Sequence, residues 1–282
     1  MKQESTFDKQ KKGKPFTDSS SATWLKDRLH SFMMLLTKTK ITYSVDAINS
    51  YTPIEGKPVI FAANHSAFQD IPLSLRATKR RSYILLGKQS LLFLDWFFFV
   101  TTGTMWVDRK IKEDMAAAKD AMLEYLAKGQ SVLWYPEGTW NLTANQLMLP
   151  MKWGIIDVAQ KANAQIIPMV LDYDRTAHIC KVKFGAPMAD DALENKSEAI
   201  RNLRDTMATL RWDLMSDQPV LNRAEIDPEQ LKAEAEQVLA EYPKLDWEYE
   251  QSCIYQPYEA VEIVPASIRP SQKNAFLFCM KY

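Results

Sequence analysis

The chain has 282 residues, 35 basic and 35 acidic side chains, 46% hydrophobic content and 11% aromatic content. These proportions exclude a wholly disordered or collagen-like chain, and the zero formal charge argues against a dominant nucleic-acid footprint, which needs a marked basic excess. No apolar run reaches the roughly 18 residues of a membrane-spanning helix.

The opening MKQESTFDKQKKGKPF has no apolar core behind its charges, which predicts no secretory signal. Residues 1–21 are polar and lysine-rich and read as a flexible tail. From Trp24 to Leu36, Trp24, Leu25, Leu29, Phe32, Met33 and Leu36 fall on one helical stripe. Pro58 to Ala63 (PVIFAA) is a short continuous apolar run, the pattern of a strand buried on both faces. A helix is predicted over about 66–75, with strands at Tyr83 to Leu86 and Thr104 to Val107. Between Lys112 and Lys128, Met115, Ala118, Met122 and Leu126 recur at helical spacing, and Gly129 stands where a C-terminal cap belongs. The strand Val132 to Tyr135, a helix over 153–162 and the strand Ile166 to Leu171 follow, with Pro168 interrupting the last.

Strands alternating with helices of this length imply crossover units and an α/β fold with a mostly parallel central sheet flanked by helices. An N-terminal helical segment precedes this core and a C-terminal helical extension follows it. Ser197 to Met215 carries Ile200, Leu203, Met207, Leu210 and Leu214 as a stripe. Asp227-Pro228 signals a further helix, inside a segment (225–250) with nine acids and two lysines that reads as a solvated surface. The predicted organisation is a tail (1–21), a core domain (22–224) and an acidic extension (225–282).

Ligands of such sheets sit at the carboxyl ends of the strands, and the informative residues lie there. PVIFAA runs directly into Asn64-His65-Ser66-Ala67-Phe68-Gln69-Asp70. In one continuous helix His65 and Asp70 would point roughly 140° apart. They could meet if His65 lies in a turn before the helix and Asp70 in its first turn. The pair then suits a general base and its orienting carboxylate. Gly103 to Val107 leads to Asp108-Arg109, and Val132 to Tyr135 leads to Pro136-Glu137-Gly138-Thr139. Lys152-Trp153-Gly154 opens the next helix. Arg109 and Lys152 could pair with an anionic group, the arginine bidentately.

With these blocks in place, the sequence resembles the glycerolipid acyltransferases, best known as lysophosphatidate (1-acylglycerol-3-phosphate) acyltransferases. The resemblance spans about residues 55–185 and rests on Asn64-His65-x4-Asp70, Gly103 to Arg109, Pro136-Glu137-Gly138-Thr139, Lys152-x-Gly154 and Ile167-Pro168. It implies that His65 deprotonates an acceptor hydroxyl, which attacks the thioester of acyl-CoA or acyl-carrier protein, with Asp70 orienting His65. It further implies that Arg109 binds the acceptor's phosphate and that Glu137, Gly138 and Thr139 shape the acceptor pocket, with no cofactor and no metal. The family commonly continues its third block with a basic residue and a serine, where this chain has Trp140-Asn141. That departure leaves room for a different amphiphilic acceptor, or for a catalytically silent lipid-binding homologue.

A long-chain acceptor resides in a bilayer. Leu91 to Val100 (LLFLDWFFFV) is too short to span one, but its aromatic residues suit interfacial insertion. Arg76, Lys79, Arg80, Arg81 and Lys88 precede it with no acid among them, as attraction to anionic headgroups requires. These features place the expected enzyme at the cytoplasmic face of a membrane, peripheral or monotopic. A serine hydrolase is disfavoured because no Gly-x-Ser-x-Gly turn occurs. Three widely spaced cysteines predict free thiols in a reducing compartment, and three histidines make a multi-histidine metal site improbable.

Overall fold

The computed structural model describes residues 41–87, 103–142, 146–175 and 177–217, with isolated positions at 32 and between 227 and 252. The tail, most of the stripe from Trp24 to Leu36, the stretch 91–100 and most of the acidic extension lie outside the described residues.

Seven strands form one sheet: β1 (Ser44–Ala47), β2 (Val59–Ala63), β3 (Ser82–Gly87), β4 (Thr104–Val107), β5 (Ser131–Trp134), β6 (Gln165–Asp174) and β7 (Ile179–Phe184). Their order is β1-β7-β6-β2-β5-β3-β4. The five strands from β2 to β6 run parallel, while β7 lies antiparallel to β6 and carries β1 parallel to itself. The helices are α1 (Asp70–Thr78), α2 (Lys112–Ala127), α3 (Gly154–Ala162), α4 (Asp190–Leu193) and α5 (Lys196–Ser216).

The strand β2 shows why the sheet is covered on both faces. Ile60 and Ala62 enter one apolar cluster with Met122 and Tyr125 of α2, Ile155 and Ile156 of α3, and Leu203 and Met207 of α5. Val59, Phe61 and Ala63 enter the other, with Ile71, Leu73 and Leu75 of α1. Period-two alternation of an apolar run therefore supplies both cores at once. Gly129 ends α2 at φ +71°, with its N–H donating to the Leu126 carbonyl at 2.9 Å and that of Gln130 to Tyr125 at 3.0 Å. The Asn195 side chain caps α5 by accepting from the N–H groups of Ser197 and Glu198.

The mostly parallel sheet is as expected, two local expectations change, and two strands are added. The helix predicted over 66–75 starts at Asp70 instead, because residues 64–69 form the turn that leaves β2. Pro168 does not interrupt its strand: β6 runs through it, paired with Ala62. The proline lies where the ladder to β7 ends, past the Met169–Phe184 pair, so little is lost through its missing N–H. Finally, the sheet contains β1 and β7, two strands that run against the other five.

Candidate active site

The turn after β2 is built around one carboxylate. Asp70 opens α1 and is fully buried. Its Oδ2 accepts the backbone N–H groups of Ser66 (2.6 Å) and Ala67 (2.8 Å), and the Tyr173 hydroxyl donates to Oδ1. The same Oδ2 lies 2.8 Å from His65 Nδ1. An ionised carboxylate can only accept, so Nδ1 carries the ring proton and Nε2 is left as a proton acceptor. The five-residue spacing works because His65 precedes the helix while Asp70 is its first residue.

The backbone of His65 is held from both sides. Its N–H donates to Glu137 Oε1 at 3.1 Å, and its carbonyl accepts the N–H of Asn141 at 2.6 Å. Asn64, also fully buried, ties the turn to β6 by accepting from the Leu171 N–H (2.7 Å) and donating to its carbonyl (3.1 Å). Two aromatic rings lie against the imidazole. The Tyr135 ring is stacked with centroids 4.4 Å apart, and the Trp140 ring is tilted by 39° at 4.9 Å.

Glu137 does not face the ligand space. Its side chain is fully buried, and its second oxygen accepts the Leu149 N–H at 2.7 Å. Any influence on an acceptor pocket is exerted through the backbone of His65. Burial pushes this carboxyl up to about 7, opposed by the N–H groups of Leu149 and His65 and by Arg211. The folded chain thus holds this proton more tightly than the unfolded chain, whose glutamate titrates near 4.3. Its contribution to stability is most favourable below that value and declines as pH rises toward 7, by on the order of 3 kcal/mol. Urea unfolding of wild type and Glu137→Gln should show a steeper loss between pH 5 and pH 8 in wild type; parallel losses would contradict the assignment.

His65, Tyr135 and Trp140 open onto a cavity of about 750 Å³ whose wall is largely apolar, with Leu85, Val107, Met115, Met122 and Trp134 among its residues. Arg109, Gly138, Thr139 and Lys152 line the same space. The Arg109 guanidinium donates to the Gly138 carbonyl, which fastens the strand end after β4 to the turn after β5. Gly87 permits this approach: a Cβ there would lie 3.0 Å from Arg109 Nε. Gly138 adopts φ +75°, and a Cβ on it would touch the Lys152 side chain at 3.4 Å. Lys112 and Lys119 also line the cavity, and Lys119, Lys161 and Lys196 converge on Asp157 (3.5, 3.1 and 2.6 Å). The Lys196 and Lys161 hydrogen bonds hold that carboxyl at about 2.

The sequence reading therefore selected residues that the fold gathers at one sheet rim: His65, Asp70, Arg109, Gly138, Thr139 and Lys152, with Glu137 behind them. Asn64 and Asn141 stood beside these residues in the motif blocks with no role assigned, and Tyr173 was not selected. Tyr173 left only a weak trace, as a polar aromatic closing an apolar strand. Among the described residues no group of His, Cys, Asp and Glu could hold a metal ion. Cys180 is a free thiol whose pKa is pushed up by burial, far from a thiolate nucleophile.

Residues 43–172 match the family model described as Acyltransferase. The chain is 31% identical over 137 residues to a 1-acyl-sn-glycerol-3-phosphate acyltransferase of Saccharomyces cerevisiae, covering 46% of this chain and 43% of the relative. It is 30% identical over 120 residues to one of Chlamydomonas reinhardtii, covering 42% of this chain and 35% of the relative. The chain thus spans less than half the length of these curated relatives. The crystal structure of the 1-acyl-sn-glycerophosphate acyltransferase of Thermotoga maritima has the same fold, with a TM-score of 0.56 at 15% identity over 72% of this chain and 86% of that one. Over residues 43–172 the parallel sheet with its motif-bearing rim is similar to the acyltransferase domains of that family. Its similarity is to the 1-acylglycerol-3-phosphate acyltransferase type.

Proposed function

We propose that the chain transfers a fatty acyl group from the thioester of acyl-CoA or acyl-carrier protein to the free hydroxyl of a lysophospholipid of the 1-acylglycerol-3-phosphate kind. The observation that carries the reading is the His65–Asp70 pair, 2.8 Å apart, at the wall of an apolar cavity that Arg109 and Lys152 also line. His65 Nε2 takes the hydroxyl proton as the oxygen attacks the thioester carbonyl. The tetrahedral intermediate collapses with cleavage of the C–S bond, and the leaving thiolate recovers the proton from His65. Asp70 stabilises the imidazolium that forms between these steps. The apolar wall receives acyl chain, and the cations receive the acceptor's phosphate.

The reaction takes place at the cytoplasmic surface of a bilayer, where the long-chain acceptor resides. The residue types of 91–100 and the cations from Arg76 to Lys88 support this placement. Among the described residues no helix is long and apolar enough to cross a membrane.

The test is incubation of the purified chain with isotope-labelled acyl-CoA or acyl-carrier protein and a panel of lysolipids, followed by mass spectrometry of the products. Labelled phosphatidate supports the reading, labelled products from unphosphorylated acceptors alone redirect it to another amphiphile, and free fatty acid alone refutes transfer. Arg109→Ala should raise KM for a phosphorylated acceptor about 10-fold or more, since charge-assisted pairs contribute roughly 1.5–3 kcal/mol. An unchanged KM for every phosphorylated acceptor would make this arginine a structural residue, one that holds the Gly138 carbonyl.

A further inference from the structure

The imidazole of His65 meets more than its carboxylate. Trp140 stands at the cavity wall with its ring centroid 4.9 Å from that of His65 and the planes 39° apart. This separation lies within the roughly 6 Å at which the face of an indole attracts a cation, and tryptophan is the strongest aromatic partner for one. His65 is neutral before it takes the hydroxyl proton and positive afterwards, so an attraction to charge grows during the step.

Trp140 is also tied to the catalytic turn. The next residue, Asn141, donates its backbone N–H to the carbonyl of His65 at 2.6 Å, and its side chain donates to the Gln146 carbonyl at 3.0 Å. The indole is thereby delivered to the imidazole by a hydrogen bond between the two turns. Tyr135 stacks on the same ring, but its hydroxyl is engaged with Ser74 Oγ at 3.2 Å within the core.

We infer that Trp140 is a positioning residue for the proposed general base: its indole face steadies the His65 ring and favours the imidazolium over the neutral form. The inference rests on the acyl-transfer reading and adds to it a second support for the charge that Asp70 neutralises in the ring plane. Carboxylate and indole act in different directions, one along Nδ1–H and the other against the ring.

The test compares Trp140→Phe and Trp140→Leu with wild type, in steady-state kinetics and in proton spectra of the histidine rings, of which the chain has only three. Trp140→Leu should lower kcat about 2- to 30-fold, the range of a cation–π contact from exposed to desolvated, with KM for donor and acceptor within about twofold of wild type. Trp140→Phe should recover at least half of the lost rate, because it restores a π face without the indole N–H. The His65 ring protons should lose their ring-current shift in Trp140→Leu. A leucine variant with that shift gone and kcat unchanged overturns the role of Trp140 and leaves acyl transfer standing. Equal losses in both variants, or a loss confined to KM, overturn it as well. A wild-type chain that transfers no acyl group to any acceptor refutes the shared reading instead, so the two failures are distinguishable.

Discussion

Alanine at position 65 should leave a folded protein whose transfer rate falls by about 10²- to 10⁴-fold, the contribution of a well-placed general base. Folding should survive because the ring lies at a cavity wall, where its removal enlarges an existing space. The turn itself is held by backbone bonds from Glu137 and Asn141, which alanine retains. Vesicle binding should be unchanged. Circular dichroism and thermal unfolding check the first point, and turnover with labelled acyl-CoA checks the second. Retention of more than about a tenth of the rate would contradict a base of this strength.

A second large effect is expected at Asp70, and here folding should suffer too. Asp70→Ala strips the acceptor from two backbone N–H groups, from the Tyr173 hydroxyl and from His65. Each buried donor left without a partner costs about 1–3 kcal/mol, so a loss of several kcal/mol accompanies a rate loss comparable to that of the histidine variant. Asp70→Asn separates the two consequences. Its amide oxygen can take the three-donor side while its NH₂ group faces Tyr173, which then accepts, so most stability returns. The charge does not return, and the rate should stay about 10²-fold down. An asparagine variant with full activity would reduce Asp70 to a scaffold for the turn. Denaturant midpoints and kcat, measured on both variants, decide.

The chain disclosed the parts of the fold whose burial is uniform. The runs VIFAA, TMWV and SVLW are buried along their whole length, and a continuous apolar run between turn signals is what such strands look like. It disclosed β7 less well, although ICKVKF alternates cleanly, with Cys180, Val182 and Phe184 buried and the lysines outward. The strand β1 gave almost no signal: it is an exposed edge whose SVDA packs little apolar surface. Within the site, the motif residues were legible because residue type restricts chemistry. Orientation was not. A glutamate in a ligand-facing turn can point to the ligand or back into the turn, and Glu137 does the latter through backbone donors that no spacing rule encodes. Tyr173 was hidden for a related reason, since its hydroxyl reaches Asp70 from a strand far along the chain.

The pairing of β1 with β7 has a consequence for how the molecule assembles. Ser44 stands in register with Ile179 and donates its N–H to the His178 carbonyl at 2.9 Å, and among the described residues β7 is the one strand beside β1. During synthesis the first-made strand must wait for the last-made one, because closing so large a loop carries an entropic cost that nothing nearby offsets. While the chain is still being made, the inner strands can therefore associate before the leading edge has its match. Until residue 184 emerges, that edge is a surface for chaperones or for mispairing with another copy.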